Sequence, residues 1–305
     1  MNVFGDKWTF LSFGESHGRA IGGVLDGVPS GISIDMAMIR EQLLLRSGKN
    51  AVGTSPRARK EEDEVEWLSG IMDGKTLGTP IAFLIRNTDA RPEDYEWMRT
   101  QFRPGHADYT YQAKYGIRDW RGGGRASARE TAARVVAGSI ARQELDKRHI
   151  SIHAELVQVG KETEPARFDA LLKQVQQEGD TIGGIVRCTI EGLPAGVGEP
   201  IFDKLQSRLA AAMMSINGCK GFEYGTGFDM SHRGSELYPE GQVPCVSSGG
   251  IEGGISNGLP IVFRCAFKPA ATLSQRYGGR HDACIAVRAV PVVEAMAAMA
   301  IICTI

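Results

Sequence analysis

Three consecutive glycines, Gly122-Gly123-Gly124, stand between Arg118-Asp119-Trp120-Arg121 and Arg125-Ala126-Ser127-Ala128-Arg129-Glu130, and they constrain the fold more than any other segment. A run of glycines lets the backbone take positive φ and press close against whatever it faces. Ser127 and Glu130 have the spacing of a capping box, which predicts a helix from about Ala128. The free N–H groups and positive dipole end of such a helix form an anion site. Arg118, Arg121, Arg125 and Arg129 crowd around it in sequence, and guanidinium groups bind phosphate and carboxylate in bidentate fashion. Taken by itself, the segment is equally well read as a surface loop entering a solvated helix.

That expectation of an oxyanion ligand agrees with the charge balance. The formal net charge is −1, which argues against nucleic acid as the main partner, since that needs a basic footprint. Yet 24 of the 35 basic residues are Arg, the side chain suited to oxyanion clamps. The six cysteines lie between Cys188 and Cys303 with no C-x-x-C pair, so neither a zinc site nor a redox pair is indicated. Lone cysteines of this kind suit a reduced compartment. No signal peptide is read at the N-terminus, and the late apolar run from Ala295 to Ile305 is far short of the ~20 residues a bilayer needs. A soluble cytoplasmic protein with no membrane partner is expected.

Apolar spacing predicts helices at 39–45, 128–147, 168–178 and 202–214, and a buried helix at 290–299 with Pro291 in its first turn. Short β-branched runs at 182–190 and 261–267 read as strands. No repeat period stands out. The pattern is a mixture of helices and strands of similar weight.

Histidine is the side chain best poised for proton transfer near neutral pH. Three of the six occur beside glycine in polar settings: Gly14-Glu15-Ser16-His17-Gly18, Arg103-Pro104-Gly105-His106-Ala107-Asp108 and Gly279-Arg280-His281-Asp282. A hydrolase using Ser16, His17 and Asp282 lacks the G-x-S-x-G elbow. A metal site of His17, His106 and His281 lacks an H-E-x-x-H pair, so no metal is expected. A second glycine cluster, Gly249-Gly250-Ile251-Glu252-Gly253-Gly254-Ile255-Ser256-Asn257-Gly258, fits neither a dinucleotide fingerprint nor a P-loop.

In their order these stretches, with Met214-Ser215-Ile216-Asn217 and Arg288-Ala289-Val290-Pro291-Val292-Val293-Glu294-Ala295-Met296, resemble the chorismate synthase family over nearly the whole chain. The resemblance implies a single α+β domain across residues 1–305: a β-α-β sandwich with internal pseudo-symmetry, helices between antiparallel sheets, assembled as a homotetramer. It implies a lyase that converts 5-enolpyruvylshikimate-3-phosphate to chorismate by 1,4-elimination of phosphate, requiring reduced FMN, with NADPH a candidate reductant. His17 would then be the acid toward phosphate and His106 the partner of the reduced flavin. Asp282, with Ser16, would take a proton at the flavin N5. Flavin contacts carried over by position are Arg125, Ala126, Ser127, Asn217, Gly218, Gly253, Lys268, Pro269, Ala270, Ala271, Thr272 and Arg280. Arg46 and Arg129 would bind substrate, Arg46 matching a family arginine at the substrate or NADPH-linked site. Residues 47–56 depart from the family pattern, with Thr54 where a second arginine is usual. The loop between Thr272 and Gly279 and the stretch 150–165 are short, and Ala283 replaces the usual Pro. The competing classes are a flavin oxidoreductase consuming NADPH and a non-catalytic protein that holds a phosphorylated metabolite.

Overall fold

The computed structural model describes residues 2–49, 51–54, 63–277 and 281–305. Its first half runs β1 (Val3–Phe4), β2 (Thr9–Phe13), β3 (Ala20–Asp26), α1 (Met36–Ser47), β4 (Glu66–Trp67), β5 (Ile71–Met72), β6 (Lys75–Thr76), β7 (Ile81–Arg86), α2 (Asp108–Tyr115) and α3 (Thr131–Lys147). The second runs β8 (Ser151–Val159), α4 (Pro165–Gln177), β9 (Gly184–Glu191), α5 (Leu205–Met214) and β10 (Cys219–Tyr224). It continues through α6 (Gly234–Leu237), β11 (Ile251–Glu252), β12 (Ile255–Ser256), β13 (Ile261–Phe267), α7 (Ser274–Tyr277) and α8 (Ala286–Ile302).

Among the described residues, the five-stranded sheet has the order β1-β2-β3-β7-β4 and the four-stranded sheet β10-β13-β9-β8, β5–β6 and β11–β12 form two-stranded sheets, and every pairing is antiparallel. Helix α3 lies against β2 and β3, α8 against β8 and β9, and the two helices pack on each other. This is the expected α+β sandwich, with its helical layer between two sheets. Strands such as β13 bury alternate residues, as a sheet with one covered face must. Helix α8 is apolar nearly all round and buried along its length, which suits the middle layer. Its buried Glu294 is satisfied by Arg142 Nη1 at 2.6 Å and Ala154 N–H at 2.8 Å. No helix of the described residues is long and apolar enough to cross a membrane.

The α3–α8 contact depends on Gly138. A Cβ there would lie 2.4 Å from Ala295 Cα, so the backbones meet without an intervening side chain. Gly138→Ala should therefore destabilise the protein by about 1–3 kcal/mol through overpacking, against the ~1 kcal/mol helix preference of Ala. A urea midpoint at or above that of the parent would contradict this account.

The pseudo-symmetry is visible in turns. Gly27-Val28-Pro29-Ser30-Gly31 follows β3, and Gly192-Leu193-Pro194-Ala195-Gly196 follows β9. Thr76 Oγ1 accepts from Ile32 N and donates to Pro29 O at 2.9 and 2.6 Å; Ser256 Oγ does the same with Val197 N and Pro194 O, at 2.9 and 2.6 Å. The hairpins β5–β6 and β11–β12 each lead into the corresponding strand, β7 or β13. The sequence therefore does contain a repeat. It shows no fixed period because α6 and its flanking loops lengthen the second half, whereas the connection from α1 to β4 is longer than that from α5 to β10.

Boundaries moved for local reasons. Helix α1 starts earlier because Asp35 caps Ala37 N and Met38 N, and Gly48 at φ 65° ends it. Helix α4 opens on Pro165, a favoured first position. Helix α5 starts only at Leu205, after Asp203 takes φ 58°. Pro291 lies inside α8, well past the first turn, because the helix already begins at Ala286. Residues 128–130 form a 3₁₀ turn before α3. Ser127 Oγ accepts from Arg129 N there, but Glu130 is held by Arg134 in an i,i+4 pair, so the reciprocal capping box does not form.

Candidate active site

The glycine run takes three positive φ angles in succession, 60°, 89° and 53°. Its close neighbours are the two histidines. A Cβ on Gly122 would fall 2.2 Å from the His17 ring, and one on Gly123 would fall 2.9 Å from His106 Cε1. Consecutive residues of one loop thus touch the two groups the sequence marks for proton transfer.

His17 sits in the turn between β2 and β3. Asn87 Nδ2 ties that turn by donating to Glu15 O and Gly18 O, each at 3.0 Å. Ser16 is buried, and its Oγ meets His17 Nδ1 at 3.0 Å. That contact engages Nδ1 and fixes the plane of the ring.

His106 is held differently. Its Nδ1 lies 2.7 Å from Asp108 Oδ1, and Arg103 Nη2 lies 2.9 Å from the same nitrogen. Arg103 already grips Asp108 through Nε at 2.8 Å and Nη2 at 2.9 Å. We therefore assign the Nδ1 proton to the shorter contact with Asp108. Burial works against ionising Asp108, but hydrogen bonds from Arg103 and His106 outweigh it and hold the carboxyl far below its usual range. Burial also pushes the His106 pKa down, against the pull of Asp108. His106 is accordingly neutral at pH 7, with Nε2 as an acceptor.

A second cluster joins helix ends and loops. Arg46, in the last turn of α1, pairs with Asp63 at 2.9 Å, and Arg129 pairs with the other oxygen of the same carboxylate. Arg129 Nε also donates to Asn87 Oδ1 at 3.0 Å, which links this cluster to the His17 turn. Burial lowers the Arg46 pKa to about 10, with Asp63 opposing and Arg129 and Arg288 adding to the drop. Arg288 in turn holds Asp282 at 2.9 Å. The Nε groups of Arg46 and Arg288 are buried with no hydrogen-bond partner among the described residues. Buried donors left this way are costly, and an anion would satisfy them.

The expected flavin-contacting segments mostly converge. Asn217 Nδ2 donates to Ala126 O and Ser127 O at 3.0 and 3.1 Å. Gly218 O accepts from Lys268 N at 3.0 Å, and Lys268 Nζ reaches Gly105 O beside His106. Thr272 Oγ1 accepts from Arg103 Nη1 at 3.0 Å, while Ala270 O accepts from Thr181. Pro269 packs by Gly183, and Ala271 completes the segment. Arg125 reaches back to Gly14 O and Ser12 Oγ at 3.2 and 2.6 Å. Gly253 does not join them. Its hairpin contacts the start of α5 through Gly254 O and Leu205 N, whereas Asn217 follows the end of α5. Those ends are about 15 Å apart at 1.5 Å per residue. Arg280 falls outside the described residues.

The four arginines of the glycine segment do not gather at one helix end. Arg118 donates to Met98 O and Gln101 O, Arg121 pairs with Asp119 at 2.8 Å, and Arg125 turns to β2. Only Arg129 enters the Asp63 cluster. The glycine turns separate Arg118 and Arg121 from Arg125 and Arg129, and each side chain finds its own partner. Residues that sequence reasoning assigned no role include Asp63, Asn87, Arg103, Asp108 and Arg288. Arg103 and Asp108 flank His106 closely enough to have been read, whereas Asp63 carries no local signal.

An α+β sandwich with two loop histidines beside a buried arginine cluster defines an enzyme of anionic substrates. The chain belongs to the chorismate synthase family, whose profile matches residues 8–305. The chorismate synthase of Christiangramia forsetii is 47% identical, covering 98% of this chain and 95% of the relative. That of Phocaeicola vulgatus is also 47% identical, covering 99% and 96%. A crystal structure of a chorismate synthase superposes with a TM-score of 0.79 at 30% identity, covering 99% of this chain and 92% of that one. The two alignments run over 342 and 348 positions, more than the 305 residues here, so these relatives carry internal residues that this chain lacks.

Proposed function

We propose that this chain is a carbon–oxygen lyase that eliminates phosphate from 5-enolpyruvylshikimate-3-phosphate to give chorismate, working as a single domain over residues 1–305 in the cytoplasm. The observation that carries the reading is the placement of His17 and His106 against consecutive glycines. The Arg46–Arg129–Arg288 cluster supports it, with its orphaned Nε donors suited to a substrate bearing a phosphate and two carboxylates.

The residues present fit reduced FMN. Lys268 and Thr272 contact Gly105 and Arg103 of the His106 loop, Asn217 lies against Ala126 and Ser127, and a Cβ at Gly105 would meet nothing within 4 Å. Arg125, Ala126, Ser127, Gly218, Pro269, Ala270 and Ala271 complete the assigned set. When bound, reduced FMN supplies electron density that eases phosphate loss. His17 is assigned as acid to the departing phosphate, whose charge needs an offset. Ser16 holds the His17 ring through Nδ1. Neutral His106 offers Nε2 to the flavin side, and Asp282 is assigned the proton at the flavin N5. Arg46 and Arg129 bind substrate, with NADPH a candidate reductant at the Arg46 end.

Anaerobic incubation with reduced FMN and the enolpyruvyl phosphate should release equal amounts of chorismate and phosphate. A folded protein that releases neither would refute the lyase reading. Steady NADPH consumption with FMN alone would favour the oxidoreductase.

The homotetramer is part of the same proposal. Phe202, Phe228, Met230 and Val243 are each at least 73% exposed, and association of copies would cover them. Association would also allow Gly253 of one copy to serve the site of another. Sedimentation should give a species of four times the chain mass; a monomer at micromolar concentration would contradict it.

A further inference from the structure

His17 can act as proposed only if its ring is aimed, and contacts with Ser16, Gly122 and Tyr95 bear on it. Ser16 Oγ meets Nδ1 at 3.0 Å. Gly122 leaves no room for a Cβ on one side. Tyr95 meets the ring edge-on, with centroids 4.8 Å apart and planes at 68°.

Tyr95 belongs to the 3₁₀ segment Pro92–Arg99, which lies outside both sheets and the central helices. Two anchors of this segment stand out. Met98 is fully buried, and Trp97 stacks face to face on Tyr277 at 4.5 Å and 6°. Tyr277 ends α7, which begins at Ser274, two residues after Thr272. Thr272 accepts from Arg103, and Arg103 contacts His106. The stack thus connects the segment that touches His17 to the segment beside His106. None of this was legible locally, since Trp97 and Tyr277 are remote in sequence.

We propose that Tyr95 is a positioning residue for His17, and that the Trp97–Tyr277 stack fixes the segment that carries it. The inference rests on the lyase reading for its kinetic consequence, though not for its geometry. A ring displaced by about 1 Å can cost up to ~10²-fold in rate. Tyr95→Ala should lower kcat about tenfold and leave KM within about twofold, because orientation of the acid matters in the transition state more than in substrate binding. Tyr95→Phe keeps the ring edge and should turn over faster than Tyr95→Ala. In a His17→Ala background, Tyr95→Ala should add no further loss, because residues acting through one group are not additive.

The decisive variant is Tyr277→Ala, which removes the stack without touching His17. The imidazole resonance of His17, assigned by its disappearance in His17→Ala, should shift in Tyr277→Ala and return in Tyr277→Phe. An unmoved resonance overturns the inference whatever the protein catalyses. Independent losses in the double variant, or Tyr95→Phe as slow as Tyr95→Ala, overturn it as well. Absence of wild-type turnover would refute the lyase reading alone, and the resonance would still decide the role of Tyr95.

Discussion

Replacing His106 with Ala should reduce turnover by about 10²–10⁴-fold, the range for a lost general acid or base, and His17→Ala should do the same. The two losses have different origins. His17 touches Ser16, Gly122 and Tyr95, so its removal empties the position assigned to the phosphate acid. His106 shares Asp108 with Arg103. Its removal leaves that bidentate pair in place, so the fold should persist while Nε2 is lost. Retained flavin affinity with lost phosphate release is the expected outcome for His17→Ala. Weakened flavin affinity as well as lost release is expected for His106→Ala. Losses below tenfold in both variants would contradict the assigned roles and favour a binding protein.

Asp108 shows where pH enters. Its folded pKa is depressed below the unfolded value. The stability it contributes is therefore present above the ordinary carboxylate range and lost as pH falls through that range and below. Loss of the carboxylate would leave Arg103, which is almost fully buried, without its counter-ion, the costly half of a broken buried pair.

Much of this site is legible in the sequence because glycine and histidine announce themselves locally. A glycine triplet demands unusual φ, and it has it. Histidines beside glycine and polar residues belong on loops, and His17 and His106 lie between named elements. What fails is inference across space. Arg118, Arg121, Arg125 and Arg129 form a group only because they are close in sequence, and each is taken up by different partners. Asp63, which actually gathers Arg46 and Arg129, comes from a different part of the chain. In the fold, strand 261–267 is legible to the residue because its alternation and bounding Pro260 are local. The repeat escapes a reading of the sequence because its matching residues are scattered among unlike ones. Around Thr76 and Ser256, Gly70-Ile71 matches Gly250-Ile251, and Gly74, Gly78 and Pro80 match Gly254, Gly258 and Pro260, while the residues between them differ.

A methyl group placed on Gly122 should do nearly as much damage as removing His17. The residue sits at φ 60°, which L side chains adopt at a cost of about 1 kcal/mol. That cost alone is survivable, and Gly116 calibrates it. Gly116 has φ 74°, and a methyl added there would meet nothing within 4 Å. Gly116→Ala should therefore lose about 1 kcal/mol of stability and little turnover. At Gly122 the same methyl would lie 2.2 Å from His17 Cε1 and Nδ1, and 3.1 Å from Ser16 Oγ. The His17 ring must swing away or the loop must move, and either change breaks the Ser16–His17 contact. Gly122→Ala should lower kcat about 10²-fold, the scale for displacing a reacting group by about an ångström. Its thermal midpoint should stay near that of Gly116→Ala. If the two variants show equal turnover, the glycine run serves only the turn, and the packing of His17 against it has no part in the chemistry.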